Sequence, residues 1–373
     1  MSSQSQTEAW IETSEALSPW VEPIATCESL ALDTESNSMF AYRERVCLVQ
    51  VSCLGGEGPP PLLALDPIAL GPTCFEPIVR FFATGRTVLM HGGEYDVAVL
   101  KRDLGVGPRK VFDTQAAASL LGIPRTGYSS LVEELLEVTL AKEHQQFDWG
   151  RRPVPAAARR YALDDVRYLP ALAKILQDMA NEMGLGDEVE VACQAVCEAA
   201  PHMALPEAER FWRVVKKVKV KGEALERLFA LFLWRESEAE ARDIPPARLV
   251  PNEVLGKLAT RPPRSAHELD GLGLSRKLVA DRADGLVAAA NTRAEVPSRP
   301  SAPRPDPKVE KRESALKRWR EEEATRRGVT LAAVLPARAL EALAEGVPLE
   351  AAPQLGASRL ARYGEVLRKL ASV

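Results

Sequence analysis

The stretch LALDTESN, residues 30–37, decides how the first half of the chain is read. Leu30, Ala31 and Leu32 read as the end of a buried strand. Asp33 and Glu35 follow, with one residue between them. Residues i and i+2 of a strand point to the same face. Two carboxylates so close raise one another's pKa unless a cation compensates. Such a pair is either a solvated turn or one wall of a metal site.

The flanks supply the frame. AWIET (9–13) reads as a short strand, and a helix begins after Ser14 before the strand that ends at Asp33. CLVQVS (47–52) and PLLALD (61–66) are two more runs of strand length, joined by short loops as in an antiparallel meander. EPIVRFFATG (76–85) reads as a helix stopped by Gly85, TVLMHGG (87–93) as a strand, and EYDVAVLKRDLG (94–105) as a helix stopped by Gly105. In DTQAAASLLG (113–122), Asp113 is a helix N-cap and Gly122 the stop. Helices over 129–138 and 156–184 complete the set. A meander followed by alternating helices and strands predicts a mixed α/β sheet flanked by helices.

After residue 205 the pattern becomes all-helical. LWRESEAEARDIPPARLVPNEVLGKLATRPP (233–263) recurs, 85 residues on, as RWREEEATRRGVTLAAVLPARALEALAEGVP (318–348). Trp234 matches Trp319, Pro251 matches Pro336 and Leu255 matches Leu340. EVPSRPSAPRPDPK (295–308), with five prolines, reads as an extended linker between the copies. Trp234 and Trp319 have leucine neighbours and are expected in the cores of the two copies.

The net charge of −4 hides an asymmetry: 16 Lys+Arg face 29 Asp+Glu over residues 1–207, and 32 face 23 over 208–373. A basic half points to nucleic acid, and RVVKKVKVKG (213–222) is its densest run. An acidic half repels phosphates unless it carries metal ions. The six cysteines have no zinc-type spacing and are expected reduced. Apolar runs fall short of a membrane span, and the N-terminus lacks a signal peptide. A cytoplasmic protein with no membrane partner is expected, and a monomer by default.

Two further acidic pieces join the first. In HGGEYDVAVL (91–100), Asp96 lies just after a strand, in the first turns of a helix. In YALDDVRYL (161–169), Tyr161 and Asp165 are four apart on one helical face. Taken singly, each has a plain structural reading: a turn cap, a helix N-terminus, a chance pair. Together, four carboxylates on strand and helix ends suit two hard cations bound through oxygen. A pair of ions about 3.5–4 Å apart can clamp an in-line phosphoryl displacement. A phenol beside them can orient the attacking water.

These three pieces resemble the motifs of the ribonuclease D family, 3′-to-5′ exoribonucleases of the tyrosine-bearing DEDD class. LALDTES is similar to the first motif, HGGEYDVAVLKRDLG to the second and YALDDVRYL to the third. VCLVQVS (46–52), VFDTQAAASLLG (111–122) and LAKEHQQFDWGRRPV (140–154) resemble the segments around them, so the likeness covers roughly residues 20–180. The tail resembles HRDC modules, of which the family commonly carries two.

The resemblance implies a ribonuclease H-like α/β exonuclease domain over 1–205. Two small all-α HRDC-like domains would follow, at 208–292 and 310–373, with a Pro-rich linker at 293–309. It implies Asp33, Glu35, Asp96 and Asp165 as ligands of two divalent ions, Mg²⁺ or Mn²⁺, with Asp33 bridging and Tyr161 holding the water. No organic cofactor is expected. The substrate would be the 3′ end of a structured RNA such as a tRNA precursor, and the products nucleoside 5′-monophosphates. A DNA exonuclease of the same superfamily and a non-catalytic nucleic-acid-binding scaffold are the alternatives. His91, Lys142, Gln145 and Arg152 are candidates for contact with substrate phosphates. Ser36 stands where several relatives have an aromatic that stacks on the terminal base; Phe40 or Tyr42 is expected to replace it.

Overall fold

The computed structural model describes residues 6–141, 146–300 and 306–372. Six strands form one sheet: β1 (Glu8–Ile11), β2 (Ser29–Ser36), β3 (Val46–Leu54), β4 (Leu62–Leu65), β5 (Thr87–Met90) and β6 (Lys110–Asp113). Their order is β1-β4-β3-β2-β5-β6. β2, β3 and β4 are the antiparallel meander, while β5 and β6 add in parallel beside β2. β1 lies parallel to β4 at the other edge.

Strand alternation sorts the meander into two faces. Leu30, Leu32, Val49, Val51 and Leu63 pack with Ile78, Phe81 and Val97. Ala31, Leu48, Leu62 and Ala64 pack with Ala158, Ala162 and Val166 of the Ala156–Arg167 helix. The small alanines let that helix lie close to the sheet.

Three local expectations change. β2 does not end at Asp33: pairing with β3 carries it on to Ser36, with a register slip between Glu35 and Ser36. β6, four residues long, was not anticipated, because Lys-Val-Phe-Asp is too short to show a period. The helix expected over 156–184 is two, Ala156–Arg167 and Leu169–Glu182, parted at Tyr168. Pro170 has no N–H to continue the ladder and fits only the first turn of a new helix.

The chain forms two compact units. One comprises the described residues of Met1–Ser36, Val46–His202 and Arg304–Val373. Here the C-terminal helical copy packs directly on the sheet domain. Ala333 joins the cluster of Ala117, Leu121, Leu172 and Leu176. The Thr330 hydroxyl donates to the Leu120 carbonyl at 3.0 Å, and Asp187 accepts from the Ser358 amide at 3.0 Å. Arg359, wholly buried, donates to the carbonyls of Ala332, Ala333 and Leu355.

The other unit comprises Asn37–Arg45 and the described residues of Met203–Pro303. Phe211, Leu228, Phe232, Leu255 and Leu286 are among its core. Tyr42 donates to Glu236 at 3.2 Å, Arg43 pairs with Glu240 at 2.6 Å, and the Phe40 ring lies 4.5 Å under the Arg248 guanidinium. Both rings proposed as a base-stacking wall are therefore engaged with helical-module residues.

The 85-residue repeat survives in the fold. Pro246–Leu249 maps onto Leu331–Val334, and Asn252–Thr260 onto Ala337–Glu345. Arg235 donates to the Val250 carbonyl at 2.9 Å, and its counterpart Arg320 to Leu335 at 3.3 Å. Trp234 and Trp319 are partly buried against their respective cores. None of the six cysteines is in a disulfide. Among the described residues no helix is long and apolar enough to cross a membrane.

Candidate active site

The end of β2 and one helix meet at a group of carboxylates. Asp33 and Glu35 project from the sheet face that the Ala156–Arg167 helix covers, as their two-residue spacing requires. Asp165, on the last turn of that helix, joins them: one oxygen from each of the three lies within 4.8 Å of the others. Asp96, only 8% exposed, enters from the first turn of the Glu94–Leu104 helix and stands outside that triplet. It accepts a short hydrogen bond from the Thr34 hydroxyl, the residue between Asp33 and Glu35.

The electrostatics are those of crowded, desolvated acids. Burial pushes Asp33 well above the ordinary carboxylate range, and the charges of Asp96, Asp165 and Glu35 push it further. Glu35 is raised by burial and then by Asp165 and Asp96. Asp165 is raised by burial and then by Asp164 and Asp96. Burial lifts Asp96 to about 6, against the pull of the Thr34 hydroxyl bond. Four acids in these surroundings resist ionising together unless positive charge joins them. A hard divalent cation with oxygen ligands suits this donor set. Tyr161, one turn before Asp165, is raised by burial and by Asp165, Glu35 and Asp33, so its phenol stays protonated.

A family model described as a 3′-5′ exonuclease matches residues 9–181, and an HRDC domain model matches residues 224–289. The chain is 32% identical to a ribonuclease D of Sphingobium indicum over 69% of its own length and 66% of that protein's. It is 30% identical to a ribonuclease D of Jannaschia sp., over 77% of its length and 75% of that protein's. The chain belongs to the ribonuclease D family. Its fold matches the crystal structure of Escherichia coli RNase D with a TM-score of 0.67, at 24% identity, over 98% of this chain and 99% of that one.

The candidate phosphate contacts of this family member fare unequally. His91 is half-buried; its Nδ1 lies 2.9 Å from the Thr114 hydroxyl, and its ring sits edge-on to Tyr128 at 5.3 Å. Burial lowers its pKa, opposed by Asp113, so the ring is neutral. Lys142 and Gln145 lie outside the described residues. Arg152 is engaged within the fold. Its guanidinium forks onto Asp66 at 2.6 and 2.8 Å and donates to the carbonyls of Cys47 and Trp149 at 2.9 and 2.7 Å. Asp66 is wholly buried, so Arg152 pairs with a carboxylate of the core.

Two residues escaped the sequence reading. Tyr128 donates to the Asp164 carbonyl at 2.8 Å and accepts from the Tyr168 amide at 3.2 Å. It thereby braces the helix break just beyond Asp165, and no pattern around it announces that role. Tyr95, 41% exposed, places its hydroxyl 3.4 Å from Ser36 and its ring edge-on to His202. In the sequence it is one residue of the helix that Gly105 stops.

Proposed function

We propose that the chain is a metal-dependent 3′-to-5′ exoribonuclease that trims the 3′ ends of structured RNAs, tRNA precursors among them, and releases nucleoside 5′-monophosphates. The observation that carries this reading is the meeting of Asp33, Glu35 and Asp165 from two distant stretches, with Asp96 linked through Thr34. Asp33, Glu35, Asp96 and Asp165 would hold two Mg²⁺ or Mn²⁺ ions. When bound, such ions supply Lewis-acid stabilisation of phosphoryl charge and a nucleophile at neutral pH.

The chain's own residues do the rest. Tyr161 keeps its proton and so can donate to, and accept from, a water on the attacking side of the terminal phosphodiester. The half-buried setting of the acids strengthens the charge interactions within the group. Tyr95 offers an exposed ring beside Ser36 for the terminal base. The basic helical unit lends phosphate affinity to the body of the RNA.

A time course on a 3′-tailed hairpin RNA, run with Mg²⁺, Mn²⁺ or EDTA beside a matched DNA, tests the reading. Single-nucleotide steps that release 5′-monophosphates, stall near the duplex and vanish in EDTA are expected. Preferential DNA digestion would replace the substrate, and oligonucleotide binding without mononucleotide release would replace the activity.

A further inference from the structure

β3 is buried along nearly its whole length, and its residues are almost all apolar. Gln50 is the exception that stands out. It has no solvent exposure, and neither its amide nitrogen nor its amide oxygen has a hydrogen-bond partner. A buried amide left so is destabilising by roughly 1–3 kcal/mol. A leucine or methionine would fill the same space without that penalty, so packing alone does not explain a glutamine here.

The register says what the amide faces. In the antiparallel β2–β3 pair, Gln50 is directly opposite Asp33, and Leu48 is opposite Glu35. Directly opposed residues share a face with Cβ atoms about 4.5–5.5 Å apart. The face is the one covered by the Ala156–Arg167 helix, since Ala31 and Leu48 on it pack with Ala158 and Ala162. On its other side Gln50 pairs with Ala64, which has no polar side chain to offer. Of the residues directly opposite the amide on the two flanking strands, the one with a polar side chain is therefore Asp33.

We infer that Gln50 is a positioning residue: its amide orients the Asp33 carboxylate, directly or through a water, when a divalent cation is bound. The inference rests on the metal reading of the carboxylate group. Ligands held by such outer hydrogen bonds commonly lose affinity by about 10- to 100-fold when the outer partner is removed.

The test uses the full chain carrying Gln50→Met and, separately, Gln50→Leu. Mn²⁺ binding is followed by calorimetry, and thermal unfolding is followed in EDTA. Expected are a Kd for Mn²⁺ raised about tenfold and an EDTA melting temperature unchanged or higher. Mn²⁺ affinity equal to that of the unaltered chain overturns the inference, as does a melting temperature that falls in EDTA while affinity holds. If both variants fail to fold, the side-chain amide NMR signals of Gln50 in the unaltered chain decide. They should shift on adding Mg²⁺, and not in Asp33→Asn; no shift overturns the inference. An unaltered chain that binds no Mn²⁺ sinks the metal reading as well, which separates the two failures.

Discussion

In metal-free protein, Asp96→Asn should raise thermal stability at neutral pH and leave it nearly unchanged in acid. Asp96 moves from the ordinary 3.8 to about 6 on folding, chiefly through burial. The folded chain thus holds this proton more tightly than the unfolded chain does. Stability from this group is complete below the unfolded pKa and is lost as pH rises through about 6. The difference corresponds to about 3 kcal/mol of lost stability above that range. Asparagine cannot ionise, and its oxygen can still accept from the Thr34 hydroxyl. The variant should therefore gain up to about 3 kcal/mol at about pH 7.5 and almost nothing at about pH 4. For a unit of this size that is roughly 6–12 °C in melting temperature. Melting curves in EDTA across that pH range read the gap directly. A gap that does not widen with pH, or a variant that melts lower at neutral pH, would refute the burial argument. Added Mg²⁺ should stabilise the unaltered chain and do less for the variant.

Asp33→Asn should abolish mononucleotide release, by roughly 10³-fold or more, since it removes charge from the ligand set; substantial residual turnover would refute its assignment. Tyr161→Phe should slow turnover about 10²-fold with Mn²⁺ affinity unchanged. A variant that instead loses Mn²⁺ would make Tyr161 part of the metal site. Arg152→Ala should destabilise the fold by about 3 kcal/mol, because it strands the buried Asp66 charge. A urea midpoint close to that of the unaltered chain would return Arg152 to the pool of substrate contacts.

Much of this molecule is legible before folding, and the gaps share a cause. The meander, the helices stopped by Gly105 and Gly122 and the Asp113 cap are local signals, and each stands where the pattern places it. The acids at 33, 35, 96 and 165 were found as separate local patterns, each weak alone. What sequence conceals is pairing across distance. Asp66 and Arg152 are 86 residues apart, and nothing near either names the other. Gln50 reads as one polar residue in a strand until register sets it opposite Asp33. The strand's extension to Ser36 is hidden because Asp33 and Glu35 look like its end, when they lie within it, on the face that meets Asp165.

The two helical copies share an arginine pin, Arg235 in one and Arg320 in the other, yet their surroundings have diverged. Ala333 of the later copy packs with Leu121, Leu172 and Leu176 of the sheet domain, while its counterpart in the earlier copy, Arg248, lies over Phe40 in the segment between β2 and β3. Damage to matching positions should thus have unlike reach. A fault at the second pin should reach the sheet domain through Ala333; one at the first should reach the Asn37–Arg45 segment that follows β2. One copy of the repeat is thus part of the sheet domain's own unit, and the other belongs to the second unit.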